Sequence, residues 1–245
     1  MNRRYLRRTG AAYLYKVYRQ TEQANRSEIL DIVEPRPGGR LLDCGCGNGE
    51  FTVQVARRAH VSDAYGIECV DERIGEAIDR GIIVTKADLN EPLPYEDRFF
   101  DIVHANQIIE HLFNTDLFLK EVKRVLRPNG YAIVSTNNLA SWHNVFSLAL
   151  GMQPTPLHIS NEAIVGNAFD PLRGTRHPSQ GDSHLRVFSF QGLRELCLYH
   201  GLKIEGLKTA GYYPLPPGLA RLVCKIDSVH GVYLIAKLRP RHNGL

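Results

Sequence analysis

A short apolar run that opens into alternating glycines constrains this chain of 245 residues more than any other feature. The run covers residues 40–43, and glycines follow it at positions 45, 47 and 49. Glycine is needed where a chain turns sharply from strand into helix, because a Cβ would block the approach of a ligand to the backbone. The segment therefore predicts a β-strand that leads into a nucleotide-binding loop, with backbone amides facing the ligand.

The spacing of the glycines separates two classes of ligand. A dinucleotide fingerprint, Gly-x-Gly-x-x-Gly, would begin at Gly45 and require a small residue at position 50, where Glu50 stands. A carboxylate there would also repel a pyrophosphate, which binds at the positive end of the helix dipole. The loop therefore disfavours an NAD enzyme or a nucleotide-sugar enzyme.

Further segments follow the loop in a regular order. A second strand over 64–68 ends in Glu68, roughly 20 residues past the glycines, where a carboxylate accepts ribose hydroxyls. A third strand begins near Ile82 and ends before Asp88. The remaining segments are a strand ending at Asn106, a Gln-Ile-Ile-Glu-His-Leu segment over 107–112, an Arg-Val-Leu-Arg-Pro-Asn-Gly turn over 124–130 and a strand to Thr136.

The Asp-x-Gly-x-Gly-x-Gly loop over 43–49 resembles motif I of the class I S-adenosylmethionine-dependent methyltransferases, and the later segments resemble the same family over about residues 39–138. The resemblance implies an α/β fold: a Rossmann-like, doubly wound, mostly parallel seven-stranded sheet in three α/β/α layers, with the last strand antiparallel. It implies S-adenosylmethionine as cofactor, with Asp88 facing the adenine amino group. The expected cofactor-binding residues are Asp43, Gly45, Cys46, Gly47, Gly49, Glu68, Asp88, Leu89 and Asn106.

Asp43 has a physical reason to lie at such a site. The methionine end of this cofactor is zwitterionic, and its ammonium group suits a nearby carboxylate, directly or through water. We therefore expect Asp43 at the ammonium group and Glu68 at the ribose.

Residues 137–184 interrupt the alternation of strands and helices. This stretch is rich in Asn, Ser, Pro and Gly, and long irregular stretches in compact domains are usually functional or disordered. We predict an insertion that forms the substrate lid, and not a second domain. Its aromatic residues, histidines and one methionine are Trp142, His143, Phe146, Met152, His158, His177 and His184.

The whole chain, 1–245, is predicted to form a single methyltransferase domain. A helical lead-in covers 1–38, where Ser27 caps a helix through Ile32 that ends before Pro35. The cofactor-binding core covers 39–136, and residues 185–245 complete the sheet with a helix over 189–200, strands over 202–207 and 232–236, and a segment over 219–227.

The chemistry of methyl transfer asks for positioning and, when the acceptor is a hydroxyl, for a base. His111 and His184 are the candidate catalytic residues. Glu110-His111 together with His184 resembles the metal site of ubiquinone-pathway O-methyltransferases and small-RNA 2′-O-methyltransferases. Gln107 replaces the first acid of that pattern, which weakens the binding of a hard divalent cation. We therefore predict no metal and a structural or substrate-facing role for these residues.

Composition limits the setting and the partners. The five cysteines include no CxxC pair, and no apolar run is long enough for a membrane span or an export signal, so we expect a reducing cytoplasm. The net charge of +4 is modest, and the arginines at 3, 4, 7 and 8 are typical of a solvated helix, so a nucleic-acid partner is not expected. Oligomeric state is left open.

The sequence thus predicts a methyltransferase that acts on a small-molecule or glycan-linked hydroxyl. An Asn-Pro-Pro-Tyr type motif, typical of amide or base N-methylation, is absent after the fourth strand, where the chain reads Asn-Gln-Ile-Ile. Small-molecule N- or C-methylation stays open. The alternatives are a non-catalytic methyltransferase-fold binding subunit and an RNA 2′-O-methyltransferase.

Overall fold

The computed structural model describes residues 9–175 and 184–241. Within these ranges the chain forms seven α-helices, seven strands and one 3₁₀ turn. The helices are α1 (Thr9–Ile32), α2 (Glu50–Ala59), α3 (Asp71–Asp79), α4 (Thr115–Val125), α5 (Trp142–Ala149), α6 (Phe190–Tyr199) and α7 (Pro217–Ile226). The strands are β1 (Arg40–Cys44), β2 (Asp63–Glu68), β3 (Ile83–Lys86), β4 (Phe100–Asn106), β5 (Leu126–Asn137), β6 (Leu202–Ala210) and β7 (Tyr233–Pro240), and the 3₁₀ turn is Ile109–His111.

The strands form one sheet in the order β3-β2-β1-β4-β5-β7-β6. The pairs β1 with β2, β1 with β4, β2 with β3 and β4 with β5 are all parallel. The predicted fold class is confirmed: a mostly parallel seven-stranded sheet with one antiparallel strand, flanked by helices. The order reverses direction at β1 and β4, and ligands of such sheets bind beyond the carboxyl ends of the strands at this reversal.

The chain divides into two compact units. The core unit consists of Ile29–Thr136, Gln191–Leu207 and Ile235–Leu245, and the insertion unit consists of Met1–Glu28, Asn137–Phe190 and Lys208–Leu234. The predicted cofactor-binding core over 39–136 falls entirely in the core unit. The prediction of a single domain stays a prediction.

The core unit is built around strands that are buried on both faces. Leu41 and Leu42 of β1 and Ile102 and Val103 of β4 have no exposed surface, as expected of central parallel strands covered by helices. Helix α4 begins at the cap residue Asn114, whose side chain accepts a hydrogen bond from the Leu117 N–H at 3.0 Å. Its fully buried residues recur at helical spacing: Phe118, Leu119, Val122 and Val125.

The predicted helix start at Ser27 is wrong. Helix α1 runs without interruption from Thr9 to Ile32, so Ser27 lies within it. The stretch contains no proline and no glycine after Gly10, and therefore nothing ends the helix before Pro35. The arginines at 3, 4, 7 and 8 lie outside the described residues.

Two other segments differ from the sequence prediction. The turn expected over 124–130 belongs to the end of α4 and the start of β5, and the pairing with β4 shifts register between Phe100 and Ile102, so the extra residues are accommodated as an irregularity within the strand. The insertion is not wholly irregular, since it contains α5. The predicted segment over 219–227 is the helix α7.

In the described part of the chain, no helix combines the length and apolarity that a membrane span requires. All five cysteines are free thiols. Cys44, Cys46 and Cys197 are buried, Cys224 is half-buried, and Cys69 is exposed just after β2.

Candidate functional site

The three glycines of the loop after β1 are required for different reasons. All three have left-handed backbone angles, with φ of +73° at Gly45, +55° at Gly47 and +81° at Gly49. A Cβ at Gly45 would lie 2.1 Å from Cδ1 of Ile108, and one at Gly49 would lie 2.4 Å from Cδ1 of Ile82. A Cβ at Gly47 would meet no atom within 4 Å, so the backbone there faces open space. Gly45 and Gly49 allow close packing, whereas Gly47 leaves room for a ligand.

The amides at the start of the loop are used inside the protein. The N–H groups of Gly45 and Cys46 both donate to the carbonyl oxygen of Ile67, at 2.8 and 3.0 Å. The expectation that the loop amides face a ligand is therefore wrong for these two residues, because β2 takes their hydrogen bonds. The Cys46 side chain packs against Ala77 and Ile82, and its burial raises the pKa of the thiol to about 12.

Glu68, at the end of β2, holds the loop in place. Its Oε2 accepts the Gly47 N–H at 3.0 Å, and its Oε1 accepts the N–H groups of Cys69 and Val70 at 2.8 and 3.0 Å. Only 6% of the residue is exposed. A carboxylate has about four lone-pair sites, so these three bonds leave capacity for a further donor. Glu68 thus has a structural role in addition to the one expected from the sequence.

Asp43, at the end of β1, is also fixed by protein groups. Its Oδ2 accepts a hydrogen bond from the Thr52 hydroxyl at 2.5 Å, and its Oδ1 lies 2.7 Å from Nδ1 of His104. His104 lies directly opposite Asp43 in the neighbouring strand β4. The residue is 3% exposed, so its carboxylate ties β1 to both α2 and β4.

Asp88 and Leu89 follow β3 and differ sharply in exposure. Leu89 is buried, whereas Asp88 is exposed and organises a turn in which its Oδ1 accepts from both the backbone N–H and the side-chain amide of Asn90, at 2.8 and 2.9 Å. Asn90 in turn accepts the Phe113 N–H at 2.7 Å through its Oδ1. Both of these bonds use the same oxygen of Asp88, so neither occupies its Oδ2.

The segment after β4 carries the remaining core-unit candidates. Asn106 ends β4, and Gln107 adopts φ of +58°, a conformation that is uncommon for residues other than glycine and that concentrates at functional sites. The Gln107 amide donates to the Ser135 hydroxyl at 3.4 Å. In the 3₁₀ turn that follows, Glu110 is buried and accepts a bond from the Thr136 hydroxyl at 2.9 Å, whereas His111 is half-buried.

His184, the other catalytic candidate, lies in the insertion unit. Its Nδ1 is 2.9 Å from the carbonyl oxygen of Pro156, and its Nε2 is 3.5 Å from the side-chain amide nitrogen of Asn137. A carbonyl can only accept, so Nδ1 carries the proton and Nε2 of the neutral ring is the basic atom. The ring stacks on His158, with centroids 5.5 Å apart.

The other insertion residues singled out in the sequence take separate positions. The indole of Trp142 donates to Oδ2 of Asp227 at 2.8 Å and stacks on His230. Phe146 is exposed, His143 packs edge-on against Tyr213, and Met152 is half-buried. His177 lies outside the described residues.

Comparison with known proteins fits this architecture. A family model described as "Methyltransferase domain" matches residues 35–169, which is more than half of the chain. The chain belongs to the methyltransferase-domain family. The family and the fold place this methyltransferase-domain protein in the class I S-adenosylmethionine-dependent superfamily. They imply S-adenosylmethionine as its cofactor.

Curated relatives resemble parts of this methyltransferase-domain protein. The 27-O-demethylrifamycin SV methyltransferase of Amycolatopsis mediterranei is 36% identical over 110 residues, covering 42% of this chain and 40% of that protein. The mitochondrial ubiquinone biosynthesis O-methyltransferase of Rattus norvegicus is 25% identical over 186 residues, covering 62% and 53%. The chain therefore spans only about 40% to 53% of the length of these relatives.

A solved structure supports the fold over most of the chain. The S-adenosylmethionine-dependent methyltransferase from Mesorhizobium loti superposes with a TM-score of 0.59 at 18% identity, covering 89% of this chain and 99% of that one. At this identity the likeness concerns the fold alone.

The loop of this methyltransferase-domain protein is compatible with S-adenosylmethionine. The backbone at Gly47 has open space beside it, and Oδ2 of the exposed Asp88, which the bonds from Asn90 do not use, is suited to an amino group. A ligand held in this way needs no phosphate group at the start of α2, where Glu50 stands in the first turn.

Sequence reasoning missed several residues of the site. His104 and Thr52 hold Asp43, and Asn90 holds both Asp88 and the 113–114 segment. A histidine near the end of β4 was a usable signal, because β4 neighbours β1 in sheets of this type. Nothing in the sequence pattern marked Asp170, which lies buried in the insertion unit.

Proposed function

We propose that this protein is an S-adenosylmethionine-dependent methyltransferase that methylates a hydroxyl group of a small-molecule or glycan-linked acceptor. Cofactor recognition is assigned to the core unit and acceptor recognition to the insertion unit. The observation that carries the proposal is the loop at Gly47, which is open to a ligand and is anchored by the acid at the end of β2. A methyltransferase fold that only served as a scaffold would not need this arrangement.

Glu68, Asp88 and Asp43 are the core-unit residues that would hold the cofactor. Glu68 retains a lone-pair site for a ribose hydroxyl, and Asp88 offers Oδ2 to the adenine amino group. The backbone of the loop would line the cofactor site, with Leu89 and Asn106 at its border. The loop residues are Gly45, Cys46, Gly47 and Gly49. When bound, S-adenosylmethionine supplies an electrophilic methyl group on a sulfonium.

A hydroxyl acceptor must lose a proton, and His184 is the better placed of the two candidate bases. The carbonyl of Pro156 holds the proton on Nδ1, so Nε2 of His184 is the atom that can accept a proton from the acceptor hydroxyl. The Asn137 amide, 3.5 Å from Nε2, is positioned to orient the ring. His111 remains the second candidate.

Three further features belong to the proposal. Transfer proceeds without a metal, because the neutral amide of Gln107 replaces an acid of the metal-site pattern. The acceptor is a small molecule or glycan and not a nucleic acid. Five free thiols support a reducing, cytoplasmic setting.

Two experiments test the proposal in sequence. Calorimetry with S-adenosylhomocysteine and with NAD should show binding of the first only; binding of NAD alone would overturn the cofactor assignment. Incubation with trideuteromethyl-labelled S-adenosylmethionine and a library of hydroxylated compounds should then yield O-linked label, located by mass spectrometry. Label on nitrogen or carbon, or on RNA instead of small molecules, would replace the proposed acceptor class. Cofactor binding without transfer to any acceptor class would favour the non-catalytic alternative.

A further inference from the structure

The insertion unit contains a cavity of about 160 Å³. An apolar cavity of about 150 Å³ accommodates a benzene ring, so a cavity of this volume has room for one six-membered ring and not for several. The wall is mixed: much of its surface is apolar, and the side chains that bring polar atoms to it include Tyr18, His143, Thr155, His158, Asp170 and His184. The candidate base His184 therefore lies on the wall of this cavity.

The charge of the cavity excludes an anionic ligand. Among the described residues that line it, none is lysine or arginine, and Asp170 is the one acid. A phosphate or carboxylate bound there would face a carboxylate with no cation to offset the repulsion. The apolar part of the wall, formed by Ile164, Leu172 and Val232, is suited to the C–H face of a ring.

Asp170 is a buried acid with incomplete pairing. The residue is 5% exposed, and its Oδ1 accepts one hydrogen bond, from the Leu172 N–H at 2.7 Å. It forms no ion pair with any residue in the described ranges. Burial raises the pKa of its carboxyl to about 6. Burying a carboxylate is costly unless donors reach it, so this position is unfavourable for the protein by itself.

His143 is incompletely paired as well. Its Nδ1 is buried and has no hydrogen-bond partner among the described residues, although the ring as a whole is half-buried. Burial lowers the pKa of the imidazole to about 4, so the ring is neutral near pH 7. A neutral imidazole has one donor and one acceptor nitrogen, and leaving one of them buried and unbonded is unfavourable.

A hydroxyl group matches both residues, because it donates to a carboxylate and can donate to or accept from an imidazole. An aromatic acceptor carries its hydroxyls only in the plane of the ring. A sugar ring has several hydroxyls around a rim and apolar C–H faces, and it is uncharged. The size, the neutrality and the mixed wall of the cavity thus agree with a single sugar ring.

The geometry points to a binding subsite for one neutral sugar ring of the acceptor, in which Asp170 and His143 bind its hydroxyl groups. This inference rests on the proposed function for the identity of the bound molecule as the acceptor. Asp170 and His143 determine specificity, and the proton is accepted at His184.

Ligand-observed NMR on the full chain, saturated with S-adenosylhomocysteine, tests the subsite. The probes are the methyl glycosides of glucose, galactose and mannose, with catechol and benzoate for comparison. At least one glycoside should bind more tightly than catechol, and benzoate should not bind. Tighter binding of catechol than of every glycoside would overturn the assignment to a sugar.

Two variants separate the subsite from a merely polar surface. Asp170→Asn keeps an oxygen for the Leu172 N–H, and His143→Phe keeps a ring against Tyr213. Each should weaken the best glycoside by about 10- to 100-fold, the equivalent of one hydrogen bond to a charged or buried group. Glu162→Gln, at an exposed acid of the same unit, should change nothing. Equal affinity in all three variants would refute the inference, and the use of two positions preserves the test if one variant fails to fold.

Failure of this inference is distinguishable from failure of the proposed function. Hydroxyl methylation that is insensitive to Asp170→Asn and His143→Phe would refute the subsite and leave the methyltransferase assignment intact. Glycoside binding that depends on both residues, in a chain that transfers no methyl group, would refute the proposed function and leave the subsite.

Discussion

The buried acids that the core unit uses around the glycine loop accept more hydrogen bonds than the buried acid of the insertion unit does. In the core unit, Glu68 accepts three backbone hydrogen bonds and Asp43 is held by Thr52 and His104. In the insertion unit, Asp170 has a single hydrogen bond to its side chain and Nδ1 of His143 has no partner among the described residues. The site for a fixed cofactor is preorganised, whereas the acceptor cavity still has polar groups that a ligand can satisfy.

His104 shows that the core unit also contains an incompletely paired ring. Nε2 of His104 is also buried and lacks a hydrogen-bond partner in the described part of the chain. Its ring packs edge-on against Phe51, with centroids 5.4 Å apart, so its surroundings are apolar. The role of His104 is therefore to bind Asp43 through Nδ1, and the cost of the unpaired nitrogen is offset by that contact.

Among the predictions, the substitution of His184 should have the largest effect on kcat. Replacing His184 with alanine removes the proposed base and should lower kcat by about 10²–10⁴-fold. Glu162→Gln, at an exposed acid of the insertion unit, serves as the control and should leave kcat unchanged. Both variants should bind S-adenosylhomocysteine as the unmodified protein does. A small effect of His184→Ala would transfer the role of base to His111.

The substitution of Glu68 tests the cofactor site of the core unit. Glu68→Ala should weaken S-adenosylhomocysteine binding by about 1.5–3 kcal/mol, the range for hydrogen bonds to a charged group. Because Glu68 also accepts the Gly47 N–H, Glu68→Gln is the sharper variant, since it retains an oxygen for the loop. Isothermal calorimetry of both variants separates ribose binding from loop support, and unchanged affinity in both would remove Glu68 from the site.

Asp170→Asn should stabilise the protein, and this tests whether the Asp170 carboxylate in the insertion unit is incompletely paired. The folded-state pKa of Asp170, about 6, lies above the ordinary value of 3.8. The folded state therefore binds more protons than the unfolded state between these values, and stability falls as pH rises from about 4 to about 6. The variant should be more stable by about 1–2 kcal/mol above pH 6 and equal near pH 4.

Urea denaturation at pH 4, 6 and 8 gives the free energy of unfolding for this comparison. His143 is present in both proteins, and its lowered pKa acts in the opposite direction over the same range, so only the difference between the two proteins isolates Asp170. A variant that is less stable at pH 8 would show that the carboxylate is paired more fully than the structure indicates.

If residues 137–184 form a substrate lid, a substitution there should change acceptor turnover and leave cofactor affinity almost unchanged. Trp142→Phe keeps the ring on His230 and removes the bond to Asp227, so it should alter acceptor turnover while the dissociation constant of S-adenosylhomocysteine changes by less than about 0.5 kcal/mol. Steady-state kinetics and calorimetry on the same sample provide both values. Parallel losses in both would mean that residues 137–184 are structural only.

Removal of divalent cations should have no effect on activity. Dialysis against EDTA should leave methyl transfer unchanged, because a site of this pattern with Gln107 in place of an acid binds divalent cations weakly. Loss of activity that manganese restores would contradict the metal-free proposal. Elemental analysis of the purified protein gives an independent measurement that requires no acceptor.

The sequence predicted the core unit far better than the insertion unit. The glycine loop and Glu68 follow from local rules, since left-handed turns need glycine and an acid at the end of the second strand has a fixed place in such folds. The continuity of α1 through Ser27 was missed because serine is only a weak signal against a long helix. Asp170 and His143 could not be paired in advance, because their proximity to one cavity depends on an irregular chain path with no period to follow.

The exposed thiol of Cys69 gives the loop a chemical reporter. Its own backbone N–H donates to Glu68, and the other four thiols are buried or half-buried, so an alkylating reagent should label Cys69 first. Partial desolvation and the neighbouring carboxylate raise the pKa of this thiol, which slows its alkylation, and mass spectrometry can follow the reaction. Protection of Cys69 by a nucleoside ligand would then measure occupancy of the loop with no acceptor in hand.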